Sequence, residues 1–121
     1  VNKKSKIIGV TLLTSHNQEG MAHLGMNTRE DIVKSLSIIA SDAKIDGVVC
    51  SPGDISSINT SKNNLEFITP GIRLSDASND HSKIYTPSTA LELGSSYLVI
   101  GRPITEAKDP MSIVEQIKLM I

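Results

Sequence analysis

Asp46-Gly47-Val48-Val49-Cys50-Ser51-Pro52-Gly53 is the stretch that decides the architecture: an apolar, β-branched run follows an acidic residue and is closed by Pro-Gly. A strand with one face in water alternates apolar and polar residues, whereas a strand covered on both faces stays apolar throughout. Gly47 to Ser51 therefore reads as a strand of a parallel sheet. The Pro52-Gly53 pair ends it, and a short helix is expected around Asp54 to Ile58.

The same punctuation occurs three more times. Ile7-Ile8-Gly9-Val10-Thr11-Leu12-Leu13 stops at Thr14-Ser15, Leu65-Glu66-Phe67-Ile68-Thr69 stops at Pro70-Gly71, and Tyr97-Leu98-Val99-Ile100 stops at Gly101-Arg102-Pro103. Helix signals lie between the runs. Thr28 offers an N-cap with the acid Asp31 at N3, and Ile32, Leu36, Ile39 and Ala43 follow at helical spacing. Thr86-Pro87 reads as N-cap and first residue of a helix running toward Gly94. Asp109-Pro110 opens a last helix whose Ile113, Ile117, Met120 and Ile121 share a face. Strands separated by helices return in the same direction, so the expectation is an α/β fold of four parallel βα units.

In such units ligands bind beyond the carboxyl ends of the strands. That places Thr14 and Ser15, Ser51 and Pro52, Pro70, Gly71 and Arg73, and Gly101 and Arg102 on one rim. An eight-stranded barrel takes about 250 residues, and the 121 residues here supply about half of one. A four-stranded half would leave two unpaired sheet edges and an uncovered apolar inner face, so a second half is expected to complete it. The alternative is a small α/β sandwich whose own helices cover both faces.

Composition narrows the partners. A formal net charge of -1 offers no broad positive field for nucleic acid or an anionic membrane, and 2 % aromatic residues leave no base-stacking platform. No run approaches the length of a membrane span, and Val1 to Lys6 reads as a solvated lead-in or the end of a severed linker rather than a signal peptide. The single Cys50 excludes an intramolecular disulfide and fits a reducing compartment, with the cytoplasm as the expectation. Cys50 itself reads as a buried strand residue, since no activating base stands near it in sequence. His16 and His23 have no cysteine or compact acidic set beside them, so no metal site is expected. Asp76, Asp80 and His81 admit an acid/imidazole cluster, but the neighbouring Ser78, Asn79 and Ser82 mark the segment more simply as a loop.

Val10-Thr11-Leu12-Leu13-Thr14-Ser15, Asp46 to Pro52, Thr69-Pro70-Gly71-Ile72-Arg73 and Tyr97 to Thr105 together resemble, in order, the carboxyl half of bacterial orotidine 5'-phosphate decarboxylases. Leu24-Gly25-Met26 and Ile84-Tyr85-Thr86-Pro87 extend the likeness over nearly the whole chain. The resemblance implies a TIM (β/α)8 barrel, with this chain as strands five to eight, a single partial domain over residues 1–121 lacking the amino-terminal half, and a homodimer of the complete enzyme. It also implies conversion of orotidine 5'-phosphate to uridine 5'-phosphate and CO2 in pyrimidine biosynthesis, without cofactor or metal. The family's catalytic Asp-x-Lys-x-x-Asp segment belongs to the amino half. Asp42-Ala43-Lys44-Ile45-Asp46 has the wrong spacing and place to stand in for it, so no catalytic residue is assigned here and the isolated chain is expected to be inactive.

What the resemblance assigns to this chain is substrate binding. Thr14 and Ser15 correspond to contacts near the ribose and the pyrimidine edge, with loop capping as their plainer role. Pro70 and Gly71 correspond to the wall around the ring, and Arg73 to the arginine that follows it. Gly101 and Arg102 correspond to the pair that grips the 5'-phosphate, a guanidinium fork beside an unobstructed backbone N–H at a short helix. Arg102 in a surface salt bridge is the plainer reading. At Asp80-His81 the sequence departs from the family's Asp-Gln: an imidazole N–H can meet phosphate, but it cannot reproduce the donor and acceptor pair of an amide. Two other readings remain open, a related sugar-phosphate decarboxylase or epimerase barrel and a noncatalytic half-barrel binding or assembly module.

Overall fold

The computed structural model describes residues 5–12, 19, 28–58, 64–75 and 84–121. Its frame is one parallel sheet of four strands, β1 (Ile8–Val10), β2 (Gly47–Val49), β3 (Glu66–Thr69) and β4 (Tyr97–Leu98), in the spatial order β1-β2-β3-β4. The ladder runs past the strand ends: Thr11 N–H donates to the Val49 carbonyl (3.2 Å), Cys50 N–H to Ile68 (3.1 Å) and Val99 N–H to Thr69 (2.9 Å). A strand order that never reverses sends every right-handed crossover to the same side, so helices collect on one face. A sandwich with helices on both faces needs a reversal that is absent here.

The register identifies the helix-covered face. Gly9, Val48 and Phe67 are aligned across β1, β2 and β3. Val48 and Phe67 join Cys50, Leu65, Ile55, Ile58, Val33 and Ala40 in the core, with Leu12 and Ile45 packed against it. Val10, Val49, Ile68 and Tyr97 form the next row, on the opposite face. There Val10 is 60 % and Tyr97 48 % exposed, an apolar sheet face left open.

Helix α1 (Arg29–Asp42) starts as its sequence requires: Thr28 Oγ1 accepts the Asp31 N–H (3.2 Å) and donates to the Asp31 carboxylate (2.6 Å). The face it buries is rotated from the one expected: Ile32 and Leu36 are half-buried at its flank, while Ile39 and Ala43 are exposed. Val33, Ser37 and Ala40 are buried, and Ile39 is 63 % exposed. The Ser37 hydroxyl is satisfied within the helix by donating to the Val33 carbonyl (2.7 Å).

After β2, a 3-10 turn (Pro52–Asp54) leads into α2 (Ile55–Ile58), where Ile55 and Ile58 are buried. Helix α3 (Pro87–Glu92) is capped by Thr86, whose hydroxyl accepts the Thr89 N–H, and Gly94 leaves it at φ +106°. Helix α4 (Arg102–Thr105) follows β4, and α5 (Pro110–Lys118) is capped by the Asp109 carboxylate accepting the Ser112 N–H (3.2 Å). On α5, Ile117 is buried while Ile121 beyond its end is 64 % exposed, so the expected four-residue face is only partly covered. Among the described residues no helix is long and apolar enough to cross a membrane.

Lys6 is anchored rather than merely solvated. Its ammonium donates to the Glu66 carboxylate (2.6 and 2.8 Å) and to the Tyr97 hydroxyl (3.0 Å), on the open face at the amino end of the strands. Those bonds, to Glu66 first and Tyr97 second, hold its pKa above the ordinary lysine range. Asp46 lies at this same end, where its carboxylate accepts the Ile7 N–H (2.6 Å). The Asp42 to Asp46 segment is thus at the edge of the sheet away from the carboxyl rim.

Candidate anion-binding rim

Two arginine-bearing segments leave neighbouring strands at the carboxyl edge. Thr69 and Leu98 are paired residues of β3 and β4, so Pro70 and Gly101 begin adjacent connections. Thr69 is fully buried, its hydroxyl sharing a 2.9 Å hydrogen bond with Ser95, which pins the strand just before the turn. Pro70 is half-buried, and Gly71 turns the chain at φ +79°, a conformation that strains any residue with a Cβ.

Beyond Gly71 the chain is tied down again. Ile72 is 2 % exposed and forms a parallel bridge with Tyr85. The next backbone N–H, that of Arg73, donates to the Tyr85 carbonyl (2.9 Å). Arg73, half-buried, therefore springs from a fixed backbone. Gly101 and Arg102 are exposed, and among the described residues no atom beyond the chain neighbours lies within 4 Å of where a Cβ would stand on Gly71 or on Gly101. The Gly101 carbonyl is engaged by the N–H groups of Ile104 (2.9 Å) and Thr105 (3.1 Å), which fixes the first turn of α4 beside Arg102.

Pro70, Arg73, Gly101 and Arg102 are thus brought to one edge. Thr14, Ser15 and His81 lie outside the described residues, as do His16, His23, Leu24 to Met26, Asp76 and Asp80. Within the described residues, no group of three or more His, Cys, Asp or Glu is placed to hold a metal ion.

Several contacts had no local signature in the sequence. The Arg29 guanidinium donates twice to Asp54, Nε to Oδ1 (3.0 Å) and Nη2 to Oδ2 (2.7 Å), and Asp54 Oδ2 also accepts the Ser51 N–H (3.2 Å). The Tyr85 hydroxyl fills the space that a Cβ on Gly53 would need. Arg29 and Asp54, like Gly53 and Tyr85, are far apart in the chain, so only the tertiary fold reveals those two contacts, whereas the Ser51–Asp54 bond is local, three residues apart.

Cys50 lies under the rim and is 1 % exposed. Burial pushes its thiol up to about 12, the Asp54 carboxylate adds to the rise, and Arg29 opposes it. The thiol is expected to resist iodoacetamide until the chain unfolds. Because its pKa is higher folded than unfolded, its stabilising contribution is fully present below an ordinary value of 9.0 and is lost as pH rises toward about 12. Thermal melts of Cys50→Ala should accordingly lose less stability than the parent between about pH 9 and 11; parallel losses would contradict the burial argument.

A one-sided parallel sheet with a polar, arginine-bearing carboxyl rim defines the chain as half of a βα-barrel protein. The comparisons narrow this further. The profile of the orotidine 5'-phosphate decarboxylase / HUMPS family matches residues 1–117, and the chain belongs to that family. It is 44 % identical over 117 residues to the orotidine 5'-phosphate decarboxylase of Saccharophagus degradans, covering 94 % of this chain and 49 % of the relative. With the enzyme of Neisseria meningitidis it shares 42 % identity over 118 residues, covering 94 % and 48 %. Among solved structures, the decarboxylase of Lactobacillus acidophilus superposes with a TM-score of 0.76 at 34 % identity, over 95 % of this chain and 48 % of that one. The Pyrococcus horikoshii enzyme, at 20 % identity, supports the fold with a TM-score of 0.70. The chain spans about half the length of the relatives it matches.

Proposed function

We propose that residues 1–121 form a single partial domain, strands five to eight of an orotidine 5'-phosphate decarboxylase, and bind the nucleotide through its 5'-phosphate. The observation that carries this reading is the pair of arginine segments leaving adjacent ends of β3 and β4, with Gly71 and Gly101 uncrowded by any other described residue. Arg102 serves as the phosphate fork, with the Gly101 N–H beside it. Arg73 adds positive charge from its anchored backbone, and Pro70 walls the ring. Thr14 and Ser15 orient the ribose and pyrimidine edge. His81 donates an imidazole N–H to phosphate where the family carries glutamine.

In this reading the reaction cleaves the bond from the pyrimidine C6 to its carboxylate. CO2 leaves, the electron pair stays on C6, and an ammonium group of the amino half protonates it to give uridine 5'-phosphate. This chain's residues hold the remote phosphate, whose binding energy stabilises the transition state. The catalytic lysine and aspartates come from four further βα units, in cis or in trans, and the 121 residues alone are inactive. The complete enzyme works as a homodimer in the cytoplasm.

The placement of exposed apolar side chains supports a partner half of this kind. Ile7 (61 %), Val10 (60 %), Ile38 (50 %) and Ile39 (63 %) lie on the first unit; Val99 (49 %), Met111 (66 %), Leu119 (89 %) and Ile121 (64 %) lie on the last. These units border the two sheet edges, where, among the described residues, β1 and β4 each have no strand on one side. Calorimetry on the chain assembled with an amino half is expected to show uridine 5'-phosphate binding that inorganic phosphate competes away. Binding indifferent to phosphate would overturn the assignment of the rim.

A further inference from the structure

We propose that Arg29, Asp54, Gly53 and Tyr85 form a clamp joining three rim connections, and that these residues position Arg73 for the anionic ligand. This rests on the phosphate-site reading above but adds residues outside it. The first link is the bidentate Arg29–Asp54 pair, with 22 % and 12 % of the two side chains exposed. It fastens the start of α1, where the connection from β1 arrives, to the turn that follows β2. The same carboxylate accepts the Ser51 N–H, so the turn is held from inside as well.

The second link is steric. Gly53 stands in that turn immediately before Asp54, and the Tyr85 hydroxyl occupies the room its missing side chain leaves. Tyr85 in turn fixes the backbone around the arginine: its carbonyl accepts the Arg73 N–H at 2.9 Å and it is bridged to Ile72. A displacement of the Tyr85 ring is therefore transmitted to Arg73 through one hydrogen bond. A guanidinium needs its fork aligned with the phosphate oxygens, so a small shift in its backbone lowers affinity without removing any ligand contact.

Steric complementarity makes a rescue experiment available. In Gly53→Ala the new methyl collides with the Tyr85 hydroxyl; once that hydroxyl is removed, the nearest remaining ring atom, Cζ, is 3.1 Å from the methyl, a contact that a slight ring movement relieves. With the chain assembled with its amino half, Gly53→Ala, which displaces the ring, is expected to raise the Kd for uridine 5'-phosphate about tenfold, and Tyr85→Phe, which loses the hydroxyl from the notch but keeps the ring and the carbonyl bonded to Arg73, to raise it by about threefold. The double variant should return to that same range, which is the coupling a shared contact produces. Hydrogen exchange at the Arg73 amide should quicken in Gly53→Ala and recover in the double variant.

Should Gly53→Ala fail to fold, Tyr85→Ala removes the link without a clash and is expected to weaken binding to a similar degree. A folded Gly53→Ala or Tyr85→Ala that binds as the parent does, or a double variant without rescue, overturns the clamp. Arg102→Ala, measured alongside, separates the two proposals. If the parent binds and Arg102→Ala does not, while Gly53→Ala is silent, the clamp alone is wrong. A parent that fails to bind overturns the phosphate site and the clamp together.

Discussion

Assayed by itself, the 121-residue chain is expected to leave orotidine 5'-phosphate essentially unconverted, and supplying an amino-terminal half with the Asp-x-Lys-x-x-Asp segment is expected to raise turnover by at least about 10⁶-fold. The size of the effect follows from a division of labour. In the proposed reading the rim residues bind and orient a phosphate, whereas loss of CO2 requires a nearby cation to stabilise charge at C6 and then to supply the proton. The rim arginines hold their protons too tightly to supply one, and the lysine bonded to the sheet is at the wrong end: Lys6 is bound to Glu66 and Tyr97 beside the amino ends of the strands. Sequestered there, it is no candidate for protonating a ligand at the carboxyl rim. Release of CO2 from the carboxyl-labelled substrate gives the readout, and robust turnover by the chain alone would sink the division.

Arg102→Ala in the assembled enzyme is expected to lower kcat/KM by about 10²- to 10³-fold, the loss that follows when one partner of a charge-assisted pair is deleted. Arg102 is exposed and stands at the first position of α4, so its removal leaves the core intact and thermal stability nearly unchanged. Arg102→Lys should recover part of the loss, because an ammonium keeps the charge but not the fork. Uridine, which lacks the phosphate, provides the decisive control: its affinity should be the same in parent and variant. An Arg102→Ala enzyme that loses uridine as readily as uridine 5'-phosphate would place the arginine elsewhere than at the phosphate.

Much of the architecture was legible in the chain because it rests on local chemistry. Pro-Gly after Ser51 and after Thr69 ends strands, while Thr28, Thr86 and Asp109 cap helices through contacts within three residues. Helix facing was less legible. On α1 the large residues Ile38 and Ile39 are exposed while Ser37 and Ala40 are buried beside Val33, so residue size and polarity alone do not identify the packed face. The sequence resemblance pointed to the segments at Pro70 to Arg73 and at Gly101 to Arg102, and the paired ends of β3 and β4 bring those segments side by side.

By itself, then, the sequence determined the four βα units, their parallel direction and which residue types stand at their carboxyl ends, since strand runs, caps and breakers act over a few residues. Only the tertiary structure decided which face of α1 is buried, that Lys6 bonds to Glu66 and Tyr97, and that Arg29 and Tyr85 meet the turn at Gly53 and Asp54. Such contacts join residues tens of positions apart, and their geometry is set by strand register and helix packing, which no local spacing encodes.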